Sequence, residues 1–274
     1  MSSLPALETI RLALHEGIAR ITLNRPHKAN AIDLRMWSEL RQAMQWLDDT
    51  DGARVAILDA AGAHFSAGLD LSVFEELRAR TAGDCDGRSR EKLRRLILDL
   101  QDTVTAIERC PKPVIASIHA ACVGGGIDII AACDLRYCSA NACFSVKEVD
   151  VGLVADVGTL QRLPRLVGEG MARELAFSAR RVDGTEAQVL RLVNRCFDTD
   201  EGLRAGVDDM ARSLAAKSPL ALRGTKEMLN HARDHRIGDG LEHVATWNAA
   251  MMYSRDLEEA LAARREKRAP VFKD

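Results

Sequence analysis

At 274 residues the chain exceeds the usual domain of about 100–200 residues, so it holds one large α/β domain with an appendage or two domains, and either buries a full core. Lys and Arg number 38 against 40 Asp and Glu, a net charge of −2, so no broad field gathers nucleic acid or an anionic membrane, and an anionic ligand has to be held locally. Seven cysteines (Cys85, Cys110, Cys122, Cys133, Cys138, Cys143 and Cys196), an odd number scattered through apolar segments, suit reduced buried thiols and argue against disulfides. The opening residues show no signal-peptide apolar stretch, no apolar run approaches the roughly 18 residues of a membrane span, and the end is not a peroxisomal tripeptide address. The expectation is a cytoplasmic protein, or a mature matrix form whose leader was trimmed.

Alternating apolar residues at 10–14 and 18–23 around His15-Glu16-Gly17 predict a β-hairpin, ended by Asn24-Arg25-Pro26. From Asp33, a good N-cap, Leu34, Trp37, Leu40, Met44 and Leu47 recur at helical spacing up to a polar break at 48–52. A strand is expected at 55–58. The polar stretch 78–90, holding Gly83 and Gly87, predicts a mobile surface loop between two helices, with helical periodicity resuming over 93–107. A strand at 114–119, a glycine turn, a helix from Ile127 and a strand near 135–138 follow, and this alternation implies an α/β fold with crossover connections. After Phe197 strand-like runs cease, and 203–216, 220–232, 241–252 and 256–265 all read as helices. The expected division is therefore a core over 1–200 with a helical region over 201–274 that packs on the core or on a neighbouring subunit.

Two turns combine small residues with the start of a helix: FSAGLD at 65–70 and GGGID at 124–128. Uncovered backbone N–H groups and a helix N-terminus both favour negative charge, so two such turns together make an oxyanion hole. Either alone merely permits a tight turn. GGGID lacks the last glycine of a dinucleotide fingerprint and no glycine turn carries the Lys-Ser/Thr of a phosphate loop, which sets nucleotide chemistry aside. Three acids follow: Asp128 behind the glycines, Glu148, and Asp156 among valines and alanine. A carboxyl group in apolar surroundings, near another carboxylate, holds its proton more tightly and is poised for proton transfer near neutrality. A helix-start acid explains Asp128 alone, and a solvated surface residue explains Glu148 alone. Asp156 is harder to dismiss.

Other chemistries fare worse. A serine hydrolase needs GxSxG, and Ser66 or Ser145 near His64 or His119 is only proximity in sequence. His231 and His235 lack the HExxH glutamate, and Cys133, Cys138 and Cys143 alternate with core-type residues, so buried structural roles are expected for both sets. No basic stripe with interleaved aromatics supports RNA binding.

At these residues the chain resembles the enoyl-CoA hydratase/isomerase (crotonase) superfamily. The likeness runs from Leu23 to the end, through Asn30-Ala31-Ile32, FSAGLD, PKPVIA at 111–116, GGGID, ACDLRYCS at 132–139 and LQRLPRLVG at 160–168. The resemblance implies a spiral of repeated ββα units with a C-terminal helical trimerisation region, commonly a hexamer of two trimers. It implies an acyl-CoA thioester substrate with no separate cofactor, and an oxyanion hole at the N–H groups matching Ala67 and Gly125. CoA is expected along Lys28, Ala29 and Ala31 and near Asp70 and Leu71, with Ser66, Gly68 and Gly124 counted to the substrate-binding turns. Lys267 and Lys273 are candidates to reach CoA on a neighbouring subunit. Typical hydratases carry glutamates at the positions of Asp128 and Glu148 and a glycine at that of Asp156; the set Asp128, Glu148, Asp156 is similar instead to Δ3,5-Δ2,4-dienoyl-CoA isomerases. The implied reaction moves a proton from carbon 2 to carbon 6 of a 3,5-dienoyl chain, with Asp156 as the base at carbon 2, Glu148 as the acid at carbon 6 and Asp128 positioning or tuning them. Hydration of a 2-enoyl-CoA is the alternative, and a non-catalytic acyl-CoA-binding or RNA-binding relative the alternative of another class.

Overall fold

The computed structural model describes residues 4–273. Strands β1 (Ile10–His15) and β2 (Ile18–Leu23) form the expected antiparallel hairpin, with Ile10 opposite Leu23 and His15 opposite Ile18. Helix α1 (Leu34–Asp49) starts where Asp33 accepts a 2.8 Å hydrogen bond from the Met36 amide, and it buries Trp37, Leu40, Met44 and Leu47 as their spacing requires. Strand β3 (Val55–Ala60) then pairs parallel with β2.

The segment expected as a loop at 78–90 is mostly helix: α2 (Ser72–Thr81) and α3 (Asp86–Arg109) leave only 82–85 between them. The arginines there are good helix formers, and the segment and its flanks are laced by pairs four residues apart, Glu76 with Arg80, Asp84 with Arg88, Asp86 with Arg90 and Glu91 with Arg95. Polarity marks a solvated helix face here, not an irregular chain.

The remaining elements are β4 (Val114–Ile118), β5 (Ala121–Val123), α4 (Gly125–Ala132), β6 (Leu135–Ser139), β7 (Cys143–Ser145), α5 (Thr159–Val167), α6 (Glu169–Ser178), β8 (Val182–Asp183), α7 (Gly184–Val189), β9 (Arg195–Phe197), α8 (Asp200–Ala215), α9 (Pro219–Asp234), α10 (Ile237–Met251) and α11 (Arg255–Glu266). The main sheet has the order β1-β2-β3-β4-β6-β9, parallel beyond the first hairpin, and a small sheet, β5-β7-β8, stands beside it. The chain thus winds strand, strand, helix again and again. Its short strands β5, β7, β8 and β9 were not expected from the sequence, being too brief to show alternation.

One core lies between the sheets and α1, α3 and α4; a second lies on the other face of the main sheet, where Leu203, Val207 and Ala211 of α8 meet Val55, Ile57, Ile115 and Tyr137. The last three helices form an arm: α10 buries no residue and α11 buries only Ala263. Lys226 of α9 roots this arm, its ammonium donating to Asp134 Oδ2 at 2.7 Å and to the Ile107 and Lys112 carbonyls at 3.2 Å.

Candidate active site

The two turns expected to carry chemistry meet in space. Residues 65 and 66 run beside β5, with the Ser66 amide donating to the Ala121 carbonyl at 2.8 Å and the Val123 amide to the Ser66 carbonyl at 3.1 Å. The chain then turns at Gly68, whose φ of +91° and whose closeness to the Val123 carbonyl, 2.9 Å from where a Cβ would stand, admit no side chain. Gly124 (φ +50°) precedes α4, and Gly125 opens that helix, so its N–H has no intrahelical acceptor.

The Ala67 amide, expected as the first oxyanion donor, is already engaged: it donates to the Ala29 carbonyl at 2.9 Å. Two residues on, the backbone pairs with residue 32, the Ile32 amide donating to the Gly68 carbonyl at 2.8 Å and the Asp70 amide to the Ile32 carbonyl at 3.0 Å. That parallel ladder passes over Leu69, whose N–H therefore faces away from Ile32. Leu69 and Gly125 both line one cavity, and neither amide is taken up by Ile32 or by an intrahelical acceptor.

The cavity measures about 290 Å³ and gathers all three acids with both turns: Gly68, Leu69, Gly124, Gly125, Asp128, Glu148 and Asp156 line it, as do Ala67 and Leu71. Trp37, Phe74, Val123, Val151, Leu153 and Val154 supply apolar walls. A second, polar cavity of about 350 Å³ shares the Val157 wall, but its Arg162 and Arg233 are paired with Glu108 and its Arg165 with Asp234.

Asp128 is almost wholly buried, and its Oδ1 accepts from both the amide and the hydroxyl of Thr159, each at 2.7 Å. Burial pushes its carboxyl up to about 7, against the pull of the Thr159 hydrogen bonds and with the push of the Glu148 and Asp156 charges. Glu148 begins a single 3-10 turn, and its buried Oε2 has no hydrogen-bond partner among the described residues. Loss of water raises its proton affinity, and so does the charge of Asp156. Asp156 is the most exposed of the three, yet desolvation raises it as well. Its carbonyl accepts a 2.6 Å hydrogen bond from Gln101 Nε2 of α3.

Several expected site residues stand behind the wall rather than in it. Ser66 is fully buried, donating to the Asn30 carbonyl at 2.9 Å and accepting from the Gly68 amide at 3.1 Å, so it shapes the turn and does not line this cavity. Asp70 is likewise occupied: its carboxyl takes Ser72 and Arg25, and the Ser72 amide foremost, then the Ser72 hydroxyl and Arg25, hold it below the usual carboxylate range. Lys28, Ala29 and Ala31 lie outside the cavity lining, with Ala29 tied to Ala67 as above. Asn30 fixes this segment, accepting from the Arg25 amide and donating to the Ala61 and His64 carbonyls. Thr159, Leu69, Trp37 and Lys147 were not foreseen as site residues. The histidines expected in the interior are instead partly open: His231 stacks on His235 at 3.8 Å and on His243 at 4.1 Å, at the α9 and α10 surface.

Known proteins share this architecture. The model for the enoyl-CoA hydratase/isomerase family matches residues 13–274. The peroxisomal Δ3,5-Δ2,4-dienoyl-CoA isomerase of Arabidopsis thaliana is 47% identical over 99% of this chain and 98% of its own length. The human mitochondrial Δ3,5-Δ2,4-dienoyl-CoA isomerase is 40% identical over 95% of this chain and 80% of its own. Among solved structures, an enoyl-CoA hydratase from Bacillus anthracis superposes with a TM-score of 0.87 at 30% identity, covering 97% of this chain and 99% of that one. A putative enoyl-CoA hydratase from Streptomyces coelicolor A3(2) gives 0.88 at 28% identity, over 100% of this chain and 97% of the other. The chain has the crotonase fold and belongs to the enoyl-CoA hydratase/isomerase family.

Proposed function

We propose that the protein converts 3,5-dienoyl-CoA to 2,4-dienoyl-CoA. The observation that carries this reading is the convergence of three residues with carboxyl groups, Asp128, Glu148 and Asp156, on one largely apolar cavity that Leu69 and Gly125 also line. The names of relatives 40–47% identical over nearly the whole chain agree with it.

The thioester carbonyl accepts from the Leu69 and Gly125 amides, so the charge released when carbon 2 loses its proton collects on an oxygen already met by two donors. One such donor typically lowers the barrier by about 3–4 kcal/mol. Glu148 lies against Gly124, with Oε1 only 3.3 Å from where a Gly124 Cβ would stand, and Gly125 is the next residue. Carbon 2 is bonded to the carbonyl carbon, so this proximity favours Glu148 as the base at carbon 2 and Asp156 as the acid at carbon 6, the reverse of the order expected from sequence. Glu148 takes the carbon 2 proton, the electron pair delocalises through the conjugated chain, and Asp156 delivers its proton to carbon 6. Asp156, open to solvent, then regains a proton from water while Glu148 gives up to solvent the proton it took, which restores both groups. These steps use only the chain's own groups, and no water adds to the chain.

In this reading the Lys28 to Ala31 segment and Leu71 flank the CoA moiety, and Lys267 and Lys273 reach toward a neighbouring subunit's CoA. A trimer or hexamer is supported by the exposed apolar face of the arm, where Leu229, Ile237, Leu241 and Tyr253 are 64–93% exposed. No helix among the described residues is long and apolar enough to cross a membrane, and seven free thiols suit a reducing cytoplasm or matrix.

The test offers 3,5-dienoyl-CoA and 2-enoyl-CoA separately. Appearance of 2,4-diene absorbance from the first supports the reading; a 3-hydroxyacyl product from the second, with no diene from the first, replaces it with hydration.

A further inference from the structure

We propose that Thr159 is a positioning residue of the isomerisation, clamping Asp128 through two hydrogen bonds to one carboxylate oxygen and thereby holding Asp156 in the wall of the cavity that Glu148 also lines. This rests on the isomerase reading above. Asp128 belongs to the first turn of α4 and Thr159 is the first residue of α5, three residues after Asp156. The bonds of 2.7 Å from the Thr159 amide and hydroxyl thus staple the end of the segment carrying Asp156 to the helix that presents the Gly125 amide. Gln101 steadies the same segment from its other side through the Asp156 carbonyl.

The clamp has an electrostatic side. Both donors favour the ionised form of Asp128, in a place where burial opposes it. The charged groups around Asp128 are Glu148 and Asp156, which line the same cavity, and Arg162 one turn along α5. Where Asp128 is ionised, above about pH 7, its charge raises the proton affinity of the other two, so Glu148 is a stronger base there. Removing the hydroxyl loosens the geometry and lets Asp128 take up a proton at a higher pH.

Thr159→Val keeps size and branching and deletes one donor; Thr159→Ser keeps the donor. For Thr159→Val the expected result is a kcat about 10-fold or more lower with KM within about twofold, since a bond to a charged group is lost where only the reacting geometry depends on it. The acid limb of its pH profile moves upward, and Thr159→Ser stays close to the parent in both respects. A merely structural role lowers the melting temperature and leaves kcat per folded molecule and the pH limb where they were; that result, or a Thr159→Ser variant as impaired as Thr159→Val, overturns the proposal. A parent enzyme silent on 3,5-dienoyl-CoA sinks the isomerase reading instead, and the two variants are then compared by exchange of the carbon 2 hydrogen of a 3-enoyl-CoA in D2O, with the same expected ranking and the same overturning results.

Discussion

Glu148 rests on Gly124: a methyl group on that glycine would stand 3.3 Å from Glu148 Oε1 and 3.9 Å from its Cδ. The residue that turns the chain into α4 is thus also the floor under a carboxyl group. Gly124→Ala is expected to cost about 1–2 kcal/mol for the positive φ and, separately, to displace Glu148. Its kcat falls further than its stability explains, which urea unfolding and steady-state kinetics on the same preparation measure.

Exchange of hydrogen with solvent separates the two proton-transferring acids. Asp156→Asn abolishes formation of the 2,4-diene, yet it retains CoA-ester binding and exchange at carbon 2. Glu148→Gln loses both diene formation and exchange. Each loss is expected to be about 100-fold or more, and NMR in D2O reads the exchange directly; exchange lost in Asp156→Asn but kept in Glu148→Gln returns the roles to the order expected from sequence.

Asp128 makes stability depend on pH with a definite sign. Its folded carboxyl is raised to about 7 from the ordinary 3.8 of an aspartate, so the folded state binds the proton more tightly than the unfolded one. The associated stability is fully present below the unfolded value and is lost as pH rises through about 4 to 7. Asp128→Asn, which removes the buried charge and keeps an acceptor for Thr159, is therefore expected to melt higher than the parent at pH 8, by up to about 4 kcal/mol in stability, with the gap closing toward pH 4. Scanning calorimetry across that range checks it.

The apolar face of the arm gives a prediction about assembly. Ile237→Glu with Leu241→Glu, both on the exposed side of α10, is expected to leave the fold intact and shift sedimentation toward a single chain. A parent that already sediments as a monomer would remove the assembly proposal.

Much of this was legible in the sequence where the physics is local. The hairpin at Ile10 to Leu23 and the Asp33 cap announce themselves because alternation, helical spacing and capping act within a few residues. The acid set converging on the two turns was equally readable. What escaped depends on partners far along the chain. Ala67 looks like a free donor until the Ala29 carbonyl, 38 residues earlier, is brought to its amide, and only then does Leu69 stand out. Ser66 and Asp70 carry the marks of contact residues and turn out to be bracing, because Asn30 and Arg25 reach them across the fold. Thr159 gave no signal at all; a threonine at a helix start is ordinary until a buried carboxylate is set against it.

The burial of Lys226 bears on how subunits would meet. An ammonium sunk beneath the start of β4 is matched by Asp134 and two carbonyls, and withdrawing it leaves the half-buried Asp134 carboxylate to the Val114 amide and solvent. Helix α9 is therefore tied to the core at Lys226, and in the proposed assembly a neighbouring copy that packs on it is referenced to the body that carries the cavity.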